Sequence, residues 1–267
     1  VTGAPGGRDA PPAAAADGDD GRLEPPVIAV ALDFNGTLSD DEPLLCAIYS
    51  ALVRERLGGE LTSQEYYGVL AGLSDREIVE RLVARSGRAG DTRLAAGLLE
   101  EKIARYQAEV RSQPRIGVEA RTLVAELARR VPVAVVTGAA RVEVEAALEA
   151  AGLAGAVATV VAAEDVRHGK PHPEGYETAL RRLGGLEPAR AVAVEDSVAG
   201  LRAARAAGMQ TVAVAGTADR DRLAAQAAVV IGRLSLDEAA ALLGALGPAR
   251  GVPARREARA EERRNDG

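Results

Sequence analysis

Apolar positions along this chain follow two patterns, and the switch between them outlines a fold. Val27-Ile28-Ala29-Val30-Ala31-Leu32 is an unbroken apolar run, the pattern of a strand buried on both faces of a parallel sheet. The run stops at Asp33, and Gly36 soon follows. Over 42–57 the pattern becomes helical, with Leu44, Leu45, Ile48, Leu52 and Leu57 sharing one face. Two more helical stretches are expected near 74–86 and 92–111. The first opens on Ser74 and Asp75, with Glu77 three residues after Ser74, the spacing of a capping box. Between about 43 and 113 no convincing strand appears, so this block reads as a helical insert.

After Pro114 the pattern alternates. Helices are expected over 118–130, 140–151, 173–183, 198–207 and 236–246, and strands over 131–136, 156–162, 191–194, 211–214 and 229–231. Strands alternating with helices of this length predict an α/β fold, a Rossmann-like parallel-sheet core with right-handed crossovers. The core is expected over 27–42 and 114–247, with the small all-helical insert of 43–113 placed after the first strand. Residues 1–26 and 248–267 are rich in Gly, Pro, Ala and charge; they cannot bury enough surface to offset ordering and read as flexible tails. Ligands of such sheets sit beyond the carboxyl ends of the strands. Asp33 and Asn35 follow the first strand, Thr137 follows the second, and Glu195 and Asp196 follow a third. Lys170 lies in a loop before a helix.

Composition narrows the partners. Hydrophobic residues make up 47% of the 267 residues, but aromatics only 2%. The core is therefore aliphatic, and the stacking platforms common in nucleic-acid binding are scarce. A net charge of -6 supplies no basic field for a polyanion. Basic residues are almost all Arg; lysine occurs only at Lys102 and Lys170, which makes Lys170 stand out. Cys46 is alone, so no intrachain disulfide forms and a reducing compartment fits. No apolar run reaches 18 residues, and the N-terminus lacks the features of a secretory signal. The expected setting is cytoplasmic, with no membrane, no nucleic acid and no obligate protein partner implied.

Four short motifs carry the chemistry. Asp33-Phe34-Asn35-Gly36-Thr37-Leu38 resembles the first motif of the haloacid dehalogenase superfamily, and Val135-Val136-Thr137-Gly138 resembles the second. Lys170-Pro171-His172-Pro173-Glu174-Gly175-Tyr176 is similar to the third, and Val194-Glu195-Asp196-Ser197 to the fourth. The resemblance spans roughly 27–245. The helical insert matches the cap of the phosphoglycolate phosphatase and beta-phosphoglucomutase-like branch, and Ala71-Gly72-Leu73-Ser74-Asp75-Arg76-Glu77 resembles its cap loop. The resemblance implies a Mg²⁺-dependent phosphatase acting on a small phosphorylated metabolite. Asp33 would be the nucleophile. Asp33, Asp196 and the Asn35 backbone carbonyl would bind Mg²⁺, with Glu195 direct or through water. Thr137 and Gly138 would hold phosphoryl oxygens, and Lys170 would steady Asp33 and the phosphate. Arg76 and Arg141 are further candidates for substrate contact. His168 and His172 flank Lys170, but two histidines without a third clustered ligand make a weak zinc site.

The chain departs from the family at Asn35, where an acid/base aspartate is usual. An amide does not exchange a proton usefully near neutral pH, and general acid–base help is typically worth about 10²–10⁴-fold. Three readings stay open: a substrate with a good leaving group, a deliberate substitution that traps substrate, or a protein that binds phosphorylated ligands with little turnover. A sugar phosphomutase is a further alternative, although it needs acid–base help even more.

Overall fold

The computed structural model describes residues 22–246. In chain order its elements begin with β1 (Ala29–Leu32), α1 (Glu42–Leu52), α2 (Ser63–Glu65), α3 (Asp75–Arg85) and α4 (Thr92–Ser112). They continue with α5 (Val118–Arg130), β2 (Val133–Val136), α6 (Arg141–Ala150), β3 (Thr159–Val161) and α7 (Glu174–Arg182). The chain then forms β4 (Ala191–Glu195), α8 (Val198–Ala206), β5 (Gln210–Val214), α9 (Arg220–Ala224), β6 (Val229–Ile231) and α10 (Ala240–Ala245). The strands make one parallel sheet in the order β3-β2-β1-β4-β5-β6. The order reverses direction at β1, which opens the ligand crevice of such folds at its carboxyl end.

Residue size along the strands decides what packs where. In β1, β2 and β4, Val30, Leu32, Val133, Val135, Val192 and Val194 face one side, within the main apolar core. Ala29, Ala31, Ala134, Ala191 and Ala193 face the other, against Tyr176, Ala179 and Leu180 of α7 and Ala203 and Ala204 of α8. Alanine on that face lets α7 and α8 approach closely, which brings α7 and the loop before it up to the strand ends. The register aligns Leu32 with Val135 and with Val194. Asp33, Val136 and Glu195 are thereby carried to the same edge.

The insert is helical among its described residues, as its sequence pattern indicates. Its helices depart from the expected bounds in places. The helix expected over 42–57 is α-helical only to Leu52 and then widens into a π-helical turn, Val53–Leu57, that ends on Gly58 at φ +70°. Ser63–Glu65 and Arg220–Ala224 are helices too short to show a period; Thr62 and Asp219 cap them. The helix expected over 236–246 shrinks to Ala240–Ala245, because Glu238 turns back to accept the backbone N–H groups of Gly232 and Arg233.

A buried polar joint fastens the insert to the core. Lys102 of α4 is fully buried, and its Nζ donates to Asp75 of α3 at 2.7 Å and to Glu143 of α6 at 2.9 Å. Tyr49 of α1 donates to the second Asp75 oxygen at 2.6 Å. Residues 22–26 were expected to belong to a tail, yet Leu23 is buried and Glu24 N donates to Gln210 at 2.6 Å. The rest of the two expected tails lies outside the described residues. No helix among the described residues is long and apolar enough to cross a membrane.

Candidate active site

Asp33 continues β1, its N–H still donating to Val194 O at 2.9 Å. Its carboxylate meets Lys170 Nζ, which also donates to Val136 O at 3.0 Å and pairs with Glu195 Oε1 at 2.5 Å. Glu195 is fully buried, with hydrogen bonds at both oxygens. Its Oε1 accepts Tyr176 OH at 2.8 Å, while Oε2 accepts the Ser197 hydroxyl at 3.0 Å and N–H at 3.3 Å. Asp196 is also buried, and its Oδ2 has no hydrogen-bond partner. Carboxylate oxygens of Asp33, Glu195 and Asp196 lie within 4.8 Å of one another. Gly36 is what permits this crowding. It holds φ +73°, and a Cβ there would collide with the Asp196 carboxylate and stand 2.7 Å from Thr217 Oγ1.

Three carboxylates around one ammonium leave negative charge uncompensated. Burial, reinforced by the Glu195 charge, pushes Asp33 up to about 7 against the pull of Lys170. Burial raises Asp196 well above the usual carboxylate range, and the charges of Asp33 and Glu195 add to it. Burial opposes the charge on Lys170, but Asp33 and Glu195 outweigh it and hold the ammonium above its ordinary value. An unpartnered buried carboxylate oxygen beside a second carboxylate is an oxygen-donor set suited to a hard dication. Such an ion would reverse the upward shifts by favouring the charged forms. The residues present therefore fit a hard divalent cation.

A cavity of about 140 Å³ opens over this group. Asp33, Asn35, Thr137, Gly138, Lys170 and Asp196 line it from the sheet edge, and Glu42, Tyr66, Ser74, Asp75 and Arg76 line it from the segment carrying α1–α3. Thr137 accepts Ala139 N at 3.0 Å, which orients its hydroxyl. Gly138 keeps its amide near the loop before α3, since a Cβ there would sit 3.1 Å from Ser74. Arg141 is not brought in. Its guanidinium pairs with Asp165 and donates to Val160 O at 3.1 Å, outside the cavity lining.

Residues 28–208 match the family described as haloacid dehalogenase-like hydrolase. The chain belongs to that family. Among curated relatives, the fructose-1-phosphate phosphatase of Escherichia coli (strain K12) is 32% identical over 194 residues, covering 68% of this chain and 93% of the relative. Validoxylamine A 7'-phosphate phosphatase of Streptomyces hygroscopicus subsp. limoneus is 42% identical over 95 residues, 36% of this chain and 44% of the relative. The chain thus matches less than half of that protein's length. Among solved structures, CbbY from Rhodobacter sphaeroides in complex with phosphate superposes with TM-score 0.69 at 28% identity, covering 81% of this chain and 99% of that one.

Within this haloacid dehalogenase-like site, several residues had no role assigned from sequence. Tyr176 and Ser197 lie inside the third and fourth motifs, but only the structure shows both holding Glu195. Asp41 and Glu42 stand at the start of α1, before Pro43; Asp41 accepts Asn35 Nδ2 at 2.9 Å and Glu42 accepts Tyr66 OH at 2.9 Å. Glu174 supplies the third group beside His168 and His172. It is engaged by the N–H groups of Arg167 and His168 and faces His168 Nδ1 at 3.0 Å, so the cluster is held by its own hydrogen bonds.

Proposed function

We propose that this chain hydrolyses the phosphate monoester of a small polyhydroxylated metabolite, with Asp33 as nucleophile. The observation that carries the proposal is Asp33 itself, held by Lys170 beside Asp196, whose Oδ2 has no hydrogen-bond partner, at the base of the cavity. An Asp33 oxygen would form a bond to phosphorus as the ester P–O bond breaks, and the departing alkoxide oxygen would take its proton from solvent water. Water would then attack the aspartyl phosphate, releasing phosphate and regenerating the carboxylate. Splitting hydrolysis this way divides one difficult displacement into two. Asp33, Asp196 and the Asn35 backbone carbonyl would hold Mg²⁺, with Glu195 acting directly or through water. Bound there, the ion supplies the positive charge that offsets repulsion between a carboxylate and a phosphate. Lys170 shares that task, and the Thr137 hydroxyl and Gly138 N–H would donate to phosphoryl oxygens.

Two observations support the substrate class. Glu42, Tyr66, Ser74 and Asp75 line the cavity as polar residues, and Arg76 and Arg167 are its cations beyond Lys170. A wall that mixes hydroxyl, carboxyl and guanidinium groups suits hydrogen bonds to a polyhydroxylated skeleton. The relatives named for fructose 1-phosphate and validoxylamine A 7'-phosphate act on phosphates of polyhydroxylated skeletons. A second reading, a ligand-binding protein of low turnover, is favoured by Asn35 alone. Phosphate release from sugar, polyol, glycolate and acyl phosphates, with and without Mg²⁺, separates the two. The enzyme reading expects Mg²⁺-dependent turnover of a sugar or polyol phosphate, lost in Asp33→Asn. Mg²⁺-dependent binding with no phosphate released from any ester would establish the binding protein instead.

A further inference from the structure

Asn35 lines the cavity, but its side chain is gripped from behind. Its Nδ2 donates to Asp41 Oδ2 at 2.9 Å, and Tyr106 of α4 donates its hydroxyl to that same oxygen. Asp41 and Tyr106 are fully buried, and neither lines the cavity. A carboxamide has one donor arm and one acceptor arm in a single plane. A carboxylate only accepts, so Asp41 selects the Nδ2 arm and leaves the carbonyl oxygen on the cavity side. An aspartate in place of Asn35 would set acceptor against acceptor at a half-buried contact with the fully buried Asp41, where an unmade hydrogen bond is costly. The amide at 35 and the acid at 41 are thus complementary as they stand.

We propose that Asp41 is a positioning residue that fixes the Asn35 carboxamide with its carbonyl oxygen toward the reacting oxygen of alcohol or water. Tyr106 extends the linkage into α4, so the orientation of Asn35 depends on how the helical insert is seated. The inference rests on the phosphatase reading above. The carbonyl orients a hydroxyl or a water through its hydrogen without removing the proton, so catalysis favours esters whose alcohol leaves readily.

The test is a double-substitution cycle on the full chain with Mg²⁺, using p-nitrophenyl phosphate and glycerol 2-phosphate as probes. The parent is compared with Asn35→Asp, Asp41→Asn, the two combined, and Tyr106→Phe. Tyr106→Phe and Asp41→Asn should each lower kcat roughly tenfold or more, as loss of alignment does, with KM within about twofold. Asn35→Asp alone should gain little. The combined variant rebuilds the hydrogen bond with donor and acceptor exchanged and supplies a proton-exchanging carboxyl. It should therefore exceed the parent on glycerol 2-phosphate by about 10²-fold or more. Independent, multiplicative effects of the two substitutions on kcat would overturn the proposal. If Asp41→Asn fails to fold, an unchanged kcat in Tyr106→Phe overturns it. If no protein of the set releases phosphate from either probe, the phosphatase reading fails instead. The contact is then judged from the Asn35 side-chain amide ¹H–¹⁵N resonances, which should move in Tyr106→Phe; unmoved resonances would overturn it.

Discussion

Lys170 divides one positive charge among Asp33, Glu195 and the Val136 carbonyl. Three acceptors converging on one nitrogen suit a compact ammonium with rotatable donors. A planar guanidinium presents its donors as a flat fork and does not fit that convergence. Lys170→Met should therefore lower kcat by roughly 10²–10³, the usual loss when one group stabilising phosphoryl charge is removed. Lys170→Arg should fail to restore it. Steady-state rates on p-nitrophenyl phosphate at saturating Mg²⁺ check both, and a Lys170→Met enzyme within threefold of the parent would remove the ammonium from the mechanism. Lys102, the chain's other lysine, has the same design: a buried ammonium between two carboxylates. In a chain whose cations are otherwise arginines, both lysines stand where a point charge must be enclosed.

At the scale of elements, Lys102 ties α3 and α4 of the insert to α6 of the core. Lys102→Met leaves Asp75 and Glu143 buried without their cation, and losing one partner of a buried pair costs about 3–5 kcal/mol. Arg105 on the same helix also pairs with two glutamates, but at the surface, where solvent screens the gain. Urea denaturation should show a large fall in midpoint for Lys102→Met and a small one for Arg105→Ala; equal falls would mean the joint is no stronger than a surface pair. This joint was not legible in the sequence. Lys102 sits in a polar helical pattern, and its partners lie 27 and 41 residues away along the chain. What was legible depended on burial that leaves a local mark. β1, β2 and β4 are buried throughout, so their runs are unbroken and the polar groups after them stand out. The Ser74–Glu77 capping box is written in adjacent residues and starts α3 as expected. Arg141 shows the limit of such reading: it follows the second motif, but Asp165, beyond β3, draws it away from the cavity.

For the whole molecule, buried glutamates make stability depend on pH in a direction opposite to that of ordinary surface carboxylates. Burial pushes Glu42 up to about 7, against its hydrogen bond from Tyr66 and with the charges of Asp41 and Asp75 adding to the rise. Glu143 is raised by burial too, although Lys102 opposes the rise. A free glutamate titrates near about 4.3. Between that value and about 7 the folded chain keeps a proton on Glu42 that the unfolded chain has released. The unfolded state then binds fewer protons, so stability falls as pH rises across the window. Glu174 behaves in the reverse sense. The Arg167 backbone N–H, helped by His168, holds it at about 2; its contribution is lost only in more acid solution and is nearly constant here. Thermal unfolding of the metal-free protein at fixed ionic strength should therefore give a Tm that declines from pH 5 to pH 8. Glu42→Gln keeps an acceptor for Tyr66 but removes the titration, so its decline should be shallower, with the two proteins diverging most at pH 8. A Tm that climbs across this range, or a Glu42→Gln profile parallel to the parent's, would mean that Glu42 is already ionised in the folded protein.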